Sequence, residues 1–399
     1  MQGKTLNIIN NENILLKLIY ILGAIVIVTQ VIGLDFITSI CFNLTFVVVA
    51  FLWLAYYTKQ KNKWDSIIIA VAIFSLACII IDGILNDVHI SPDYFKKYIM
   101  FIVTILFLQA SFKFEGSLEI TTVIHKLNTG IIIVLLFAYL FAEDPMHTFH
   151  NGVLTEYLTF SFTNPNLVAM FLLCIFMTEF IYLIKMEKDD KEKTAFHAVF
   201  TLFAFFFVIE TQSRNCLIAL AIFLALAAYI YLKGHLPRDK RLILLVVMSP
   251  LLFAFLYLFV IEATWFNELF GFLGSEQKQL SSRVEMWQYG MNSFIDSPII
   301  GAYGQIREGC KHSHLHNVHM EVLGHYGLVV FVTLCTFLYK NIKKLASHKA
   351  KKIDELYLAA FIAAYAMGFG EAAFVSGGLG IYIYICSFIL LWKGSSLEK

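Results

Sequence analysis

The sequence predicts an all-α polytopic membrane protein of about twelve transmembrane helices, with one long outer loop that carries an amphipathic helix. Three observations lead there. Hydrophobic residues make up 59% of the 399 and charged ones only 15%, a balance foreign to soluble globular enzymes, disordered chains and collagen-like chains. The chain has only six Pro, which spares long helices the lost hydrogen bond and the clash that Pro brings to a helix interior. A mean hydropathy of +0.73 then points to a surface solvated largely by lipid. Lys and Arg number 30 against 29 Asp and Glu, so no charge excess advertises nucleic acid as a partner.

A lipid-spanning helix needs ~20 mostly apolar residues, because each adds only ~1.5 Å across a ~30 Å hydrocarbon core that holds no water for the backbone. Twelve stretches qualify: 14–34, 36–57, 66–85, 97–112, 127–142, 166–184, 195–211, 215–232, 242–262, 318–339, 355–371 and 375–392, of which the fourth, fifth, seventh and eleventh are short. Lys and Arg beside spans are retained in the cytoplasm. With both termini cytoplasmic, all but seven of the 30 lie inside; the seven are Lys96, Lys97, Arg214, Lys278, Arg283, Arg307 and Lys311. Lys17 lies within the first stretch and no small-residue cleavage site follows, so the first helix reads as retained. Six of the seven Cys lie in or beside spans, and neither Cys216 nor Cys310 has an evident partner, so no disulfide framework is expected.

This divides the chain into helices 1–9 over 1–262, a loop over 263–317 and helices 10–12 over 318–399. A loop of that length exceeds ordinary helix connections and signals function or a subdomain. A second long outer loop covers 143–165. In the first loop Ser282-x-x-Glu285 reads as a capping box. Val284, Trp287, Met291, Phe294 and Ile295 then recur at helical spacing up to Pro298, giving an amphipathic helix on the outer leaflet or against the bundle.

Arg283 falls in the first turn of that helix, where backbone N–H groups favour an anion; lipid phosphate would serve as well as a substrate. Arg214 follows Thr211-Gln212-Ser213 at the junction of two apolar spans with no charge run around it. A cation at membrane depth costs ~2.5–3.5 kcal/mol on insertion scales, so an Arg there calls for an anionic partner or a polar cavity, or else snorkels. The segment His312-Ser313-His314-Leu315-His316-Asn317-Val318-His319 closes the loop. Its imidazoles suit metal-free acid–base work; a metal site and a merely structural cluster are the alternatives. Against metal, there is no His-Glu-x-x-His spacing, and His312, His314 and His316 share a face only in an extended segment.

Three segments together resemble the O-antigen ligase family, polytopic glycosyltransferases that join undecaprenyl-pyrophosphate-linked glycan to lipid A core. They are Thr211-Gln212-Ser213-Arg214 opening a span; Ser282-Arg283-x-x-x-Trp287 leading to Ser297-Pro298-Ile299-Ile300-Gly301; and His316-Asn317, nine residues, then Gly327-Leu328, with Glu321 inside. The chain departs from the pattern at Val330, where the family often has a second Gly. The relatives include O-antigen polymerases and protein O-oligosaccharyltransferases; the absence of a large extra outer domain favours the ligase over the protein-modifying ones.

The resemblance implies an undecaprenyl-pyrophosphate glycan donor, a lipid A core acceptor, surrounding membrane lipid, and a periplasmic site on the inner membrane, with no metal, nucleotide or other cofactor. Arg suits a diphosphate because its planar fork binds phosphate oxygens bidentately and stays charged. Arg214 and Arg283 are thus expected to clamp the pyrophosphate, and His316 to deprotonate or orient the attacking hydroxyl. Asn317 and Glu321 would support them, as substrate ligands or by orienting and holding the imidazole. Thr163-Asn164-Pro165-Asn166 is similar to a family motif but reads first as a helix start with Pro in the first turn. Arg307, Lys311 and His314 read as solvated surface. A polymerase shares the same donor chemistry, and a lipid-linked glycan transporter would show internal repeats and interrupted paired helices, neither of which is apparent.

Overall fold

The structure is a computed structural model that describes residues 2–59, 63–85, 92–114, 118–141, 148–150, 153–155, 157–160, 162, 165–186, 191–261, 277–301, 315–347, 351–371 and 379–395. Each of the twelve apolar stretches contains a helix. In chain order they are α1 Gln2–Val31, α2 Asp35–Lys59, α3 Lys63–Leu85, α4 Pro92–Lys113, α5 Leu118–Phe141, α6 Pro165–Lys185, α7 Lys191–Glu210, α8 Arg214–Lys233 and α9 Lys240–Ile261. After the amphipathic α10 (Gln277–Asp296) come α11 Val318–Ser347, α12 Lys352–Ala366 with a 3₁₀ turn at Met367–Phe369, and α13 Leu379–Ser395.

Eight of these helices are long and apolar enough to cross a membrane, and Ser66–Ile81, Tyr98–Lys113 and Ile383–Lys393 form shorter apolar segments. The protein is an integral membrane protein built almost wholly of helix. The exception is a small antiparallel hairpin within the second outer loop, Thr148–His150 paired with Val153–Thr155.

The fifth helix starts well before the apolar stretch that marks it in the sequence. Its first turns carry His125 and Asn128, which a hydropathy pattern scores as solvent-facing. Both are buried and hydrogen-bond at 2.9 Å to the carboxylate of Glu179 on α6. His197 of α7 faces the other oxygen of that carboxylate at 3.4 Å. One oxygen of the buried carboxylate is thus hydrogen-bonded by α5 and the other faces the α7 imidazole, so polarity here ties α5, α6 and α7 together.

Packing explains the remaining pattern. α6 is buried almost continuously from Val168 to Glu179, and α12 from Asp354 to Ala366, so these two helices with α13 form the centre of the bundle. Phe36, Ile84, Phe141 and Leu232 point outward, where a lipid-solvated surface accepts apolar side chains. Lys17, in the first helix, pairs with Glu119 of α5. Lys393 donates to the carbonyls of Phe112 and Phe114, capping the C-terminal end of α4. In α9, Pro250 removes one N–H, and the Ser249 hydroxyl donates to the Val246 carbonyl at 2.7 Å in its place. The six described cysteines are free thiols; Cys310 lies outside the described residues.

Candidate active site

Successive spans alternate direction, so the starts of α6, α8 and α11 and the ends of α7, α9 and α12 meet at one end of the bundle. The α7–α8 turn is tight. Thr211 Oγ1 bonds back to the Val208 carbonyl at 2.7 Å, and Gln212 takes the left-handed backbone at φ 51°. Ser213 stands at the N-cap of α8 but does not cap it. Its hydroxyl donates instead to Asn166 Oδ1 on α6 at 2.7 Å. The first N–H groups of α8, at the positive end of its dipole, therefore lack a side-chain cap, with the guanidinium-bearing Arg214 as first helical residue.

The helix in the long outer loop starts earlier than the sequence suggests. It runs from Gln277, so Ser282 and Glu285 lie inside it, and Arg283 sits in its second turn rather than its first. Residues Gln277–Ser281 continue the helix upstream, which a local four-residue capping pattern cannot register. The helix packs against the bundle. Trp287 is 1% exposed, meets Phe253 and Tyr257 of α9 edge-on, and donates its indole N–H to the Leu315 carbonyl at 2.7 Å. Gly290 of α10 faces the Leu315 side chain, where an added Cβ would come within 2.7 Å. Leu315 directly precedes His316, so α10 fixes both Arg283 and the backbone that carries the imidazole.

The start of α11 is held equally firmly. Asn317 is its N-cap: its Oδ1 accepts the N–H groups of His319 and Met320 at 3.0 and 3.1 Å. Its amide nitrogen donates to the carbonyls of Pro250 and Phe369, each at 2.9 Å. Glu321 turns back to accept the Leu315 N–H at 2.6 Å and faces His325 at 3.4 Å. Further along, α11 breaks its helical backbone at Gly327 (φ 74°, ψ −176°). Leu328 N–H there donates to the Pro298 carbonyl at 2.8 Å. A Cβ on Gly327 would lie 2.4 Å from the Ile299 carbonyl oxygen, and one on Gly301 2.5 Å from the His325 carbonyl carbon. The Ser297–Gly301 turn and the Gly327 break thus touch backbone to backbone, which only Gly permits. Val330 is buried.

Glu371, just beyond the 3₁₀ turn after α12, joins these pieces. Its carboxylate accepts a hydrogen bond from His316 Nδ1–H at 3.1 Å and one from Asn166 Nδ2 at 2.7 Å. Arg283 lies 3.9 Å from the same group. The neighbouring Gly370 backs onto the side chain of Asn215, the residue after Arg214, where an added Cβ would come within 2.4 Å. The structure therefore brings Arg283 and His316 together on one carboxylate, and the residues flanking Arg214 pack nearby, Ser213 on Asn166 and Asn215 against Gly370. Burial lowers the His316 pKa, but the hydrogen bond and negative charge of Glu371 outweigh it, so the imidazole is held above its ordinary value; Arg283 opposes this and Glu321 adds to it.

His319 takes a different course: it is buried in the bundle, with Nε2 2.8 Å from the Tyr365 hydroxyl, which itself donates to the Val247 carbonyl. The His row thus does not converge as an extended strip at its C-terminal end. His312, His314, Lys311, Arg307, Thr163 and Asn164 lie outside the described residues. Among the described residues no group of His, Cys, Asp and Glu has the arrangement of a metal site. Two site residues escape the sequence reading. Asn166 is more than part of a helix start, and Glu371 was absorbed into the end of an apolar stretch. The available signal was an ionisable residue at membrane depth, for which a functional role is the default expectation.

A helical bundle with eight membrane-length helices and an Arg–His–carboxylate cluster at one end defines an integral membrane protein with a polar site at one end of its bundle. Residues 199–335 match the family model for O-Antigen ligase. The matched segment contains Arg214, Arg283, His316, Asn317 and Glu321, while Asn166 and Glu371 lie on either side of it. No curated protein matches the chain.

Proposed function

We propose that the protein is an O-antigen ligase. It transfers an undecaprenyl-pyrophosphate-linked glycan to a sugar hydroxyl of lipid A core at the periplasmic face of the inner membrane, with both chain termini cytoplasmic. The observation that carries this reading is the shared carboxylate: Glu371 holds His316 through Nδ1 and stands beside Arg283.

The chemistry follows from that arrangement. With Nδ1–H committed to Glu371, the lone pair of His316 is on Nε2, the nitrogen that takes the proton of the acceptor hydroxyl. As the oxygen attacks the anomeric carbon from the face opposite the diphosphate, the new C–O bond forms and the bond to the pyrophosphate oxygen breaks. The departing oxygen carries the electron pair, and the anomeric configuration inverts. Arg214, Arg283 and the uncapped N-terminus of α8 receive the charge that grows on the diphosphate. Glu371 stabilises the imidazolium formed in the same step, as a carboxylate does in a hydrolase triad. Asn317, whose amide is committed to four backbone groups, acts as a positioning residue rather than a substrate ligand. Glu321 holds the backbone on which His316 sits. No step requires a nucleotide or a metal ion.

Reconstitution tests the proposal. Purified protein in proteoliposomes is given undecaprenyl-pyrophosphate glycan and lipid A core, without nucleotide or added metal, and the product is identified by mass. Glycan on the core supports the ligase. Glycan lengthened on its own carrier shows a polymerase with the same site chemistry, and movement of unaltered donor across the bilayer shows a transporter.

A further inference from the structure

At the end of the bundle away from Glu371, the last turns of α6 and α8 diverge from the first turn of α12 and leave a cleft of about 630 Å³. That volume lies in the ~300–1,000 Å³ range of sites for small organic ligands. Its walls are apolar, with Phe180 from α6 on one side and the small Ala227 and Ala228 of α8 opening the other. Its rim carries two cations, Lys185 as the last residue of α6 and Lys352 as the first of α12.

Lys352 Nζ donates to the Tyr231 carbonyl at 2.7 Å and sits 4.3 Å above the Tyr231 ring, which fixes it at the cleft mouth; an ammonium has three donors. Two carboxylates lie nearby. Asp354 is 1% exposed, accepts the Lys351 N–H and lies within the electrostatic reach of Lys185 and Lys351, while Glu355 is 2% exposed and takes the Leu236 N–H and Arg238. The same end of the bundle carries Lys233, Arg238, Lys240, Arg241 and Lys344. An apolar cleft with lysines at the ends of the helices that line it matches one kind of molecule: acyl chains joined to an anionic headgroup.

We propose that this cleft is a binding site for an anionic phospholipid of the leaflet opposite the catalytic cluster. The acyl chains lie against Phe180 and the Ala227–Ala228 wall, and the phosphate meets Lys185 and Lys352. The proposal is independent of the ligase reading, because none of these residues takes part in the transfer site.

The test uses the full chain in detergent and native mass spectrometry, with phosphatidylglycerol and phosphatidylethanolamine as paired probes and inorganic phosphate as a soluble competitor. A lysine beside an anionic headgroup is worth about fivefold in affinity, so Lys185→Gln/Lys352→Gln should lose about 25-fold in phosphatidylglycerol retention. The wild type should keep phosphatidylglycerol over phosphatidylethanolamine, and millimolar phosphate should not displace it. Equal retention by the double variant, equal retention of the two lipids, or displacement by free phosphate would each overturn the proposal. Should the double variant not fold, wild-type protein labelled with a phosphatidylglycerol carrying a photoreactive acyl chain decides the matter. Cross-links to 180–185, 224–231 or 352–356 support the site, and cross-links only elsewhere overturn it.

Discussion

Replacing Glu371 by Gln keeps the shape of the residue that holds His316 and removes its charge. The His316 Nδ1–H bond at 3.1 Å then runs to a neutral amide oxygen instead of a carboxylate. Hydrogen bonds to charged groups contribute ~1.5–3 kcal/mol and neutral ones ~0.5–1.5, so the difference is ~1–1.5 kcal/mol before the Coulomb attraction for the imidazolium is counted. His316 is 29% exposed at its side chain, which screens that attraction. Together these put the loss in kcat at roughly 10- to 100-fold. The pH profile carries the sharper test. A protonated imidazole cannot take the acceptor's proton, so transfer falls as pH drops through the His316 pKa, which Glu371 holds above the ordinary value. Without the carboxylate that support is gone, and the acid limb of kcat/KM must move to lower pH while the plateau falls. The assay is initial rate of glycan transfer in proteoliposomes between about pH 5 and 9. Turnover within threefold of wild type with an unmoved acid limb would refute the His316–Glu371 couple.

Other substitutions probe the remaining parts. Arg214→Lys and Arg283→Lys retain charge but lose the planar fork, and each should cut transfer at least ~10-fold; normal rates in both variants would remove the diphosphate clamp. Asn317→Ala removes an N-cap worth ~1 kcal/mol and the side-chain donor that ties the start of α11 to the Pro250 and Phe369 carbonyls. Its Tm in detergent should fall, and kcat should drop more than KM rises, because His316 loses its anchor. Gly327→Ala places a Cβ against the Ile299 carbonyl and strains a φ of 74°, costing ~1–2 kcal/mol from the backbone alone. A clear loss of Tm or of folded yield checks it.

Much of this molecule is legible in its sequence because lipid imposes a simple rule: apolar stretches of sufficient length become helices. All twelve do. What misleads is polarity that the fold internalises. His125 falls outside the fifth stretch on paper, yet Glu179, 54 positions away, receives it together with Asn128. The site divides along the same line. Arg214, Arg283 and His316 stand out because each is conspicuous within its own few residues. Glu371 is not, for its meaning comes from His316 and Asn166, which lie 55 and 205 positions away. The Ser282–Glu285 pattern fails for the opposite reason: a short local signal is satisfied inside a longer helix.

One detail of the backbone sets stability against chemistry. His316 occupies the left-handed region at φ 48°, where Gly rests without strain and Asn is tolerated, and where other residues pay ~1–2 kcal/mol. His is therefore a poor choice for folding at the position where the proposed reaction needs a base. Stability at this position therefore sets that backbone cost, which Gly or Asn would relieve, against the His316 hydrogen bond to the buried Glu371 carboxylate, which neither would keep in the same form. If His316 is the base proposed here, any programme that stabilises this protein must hold position 316 fixed and seek its gains elsewhere in the bundle.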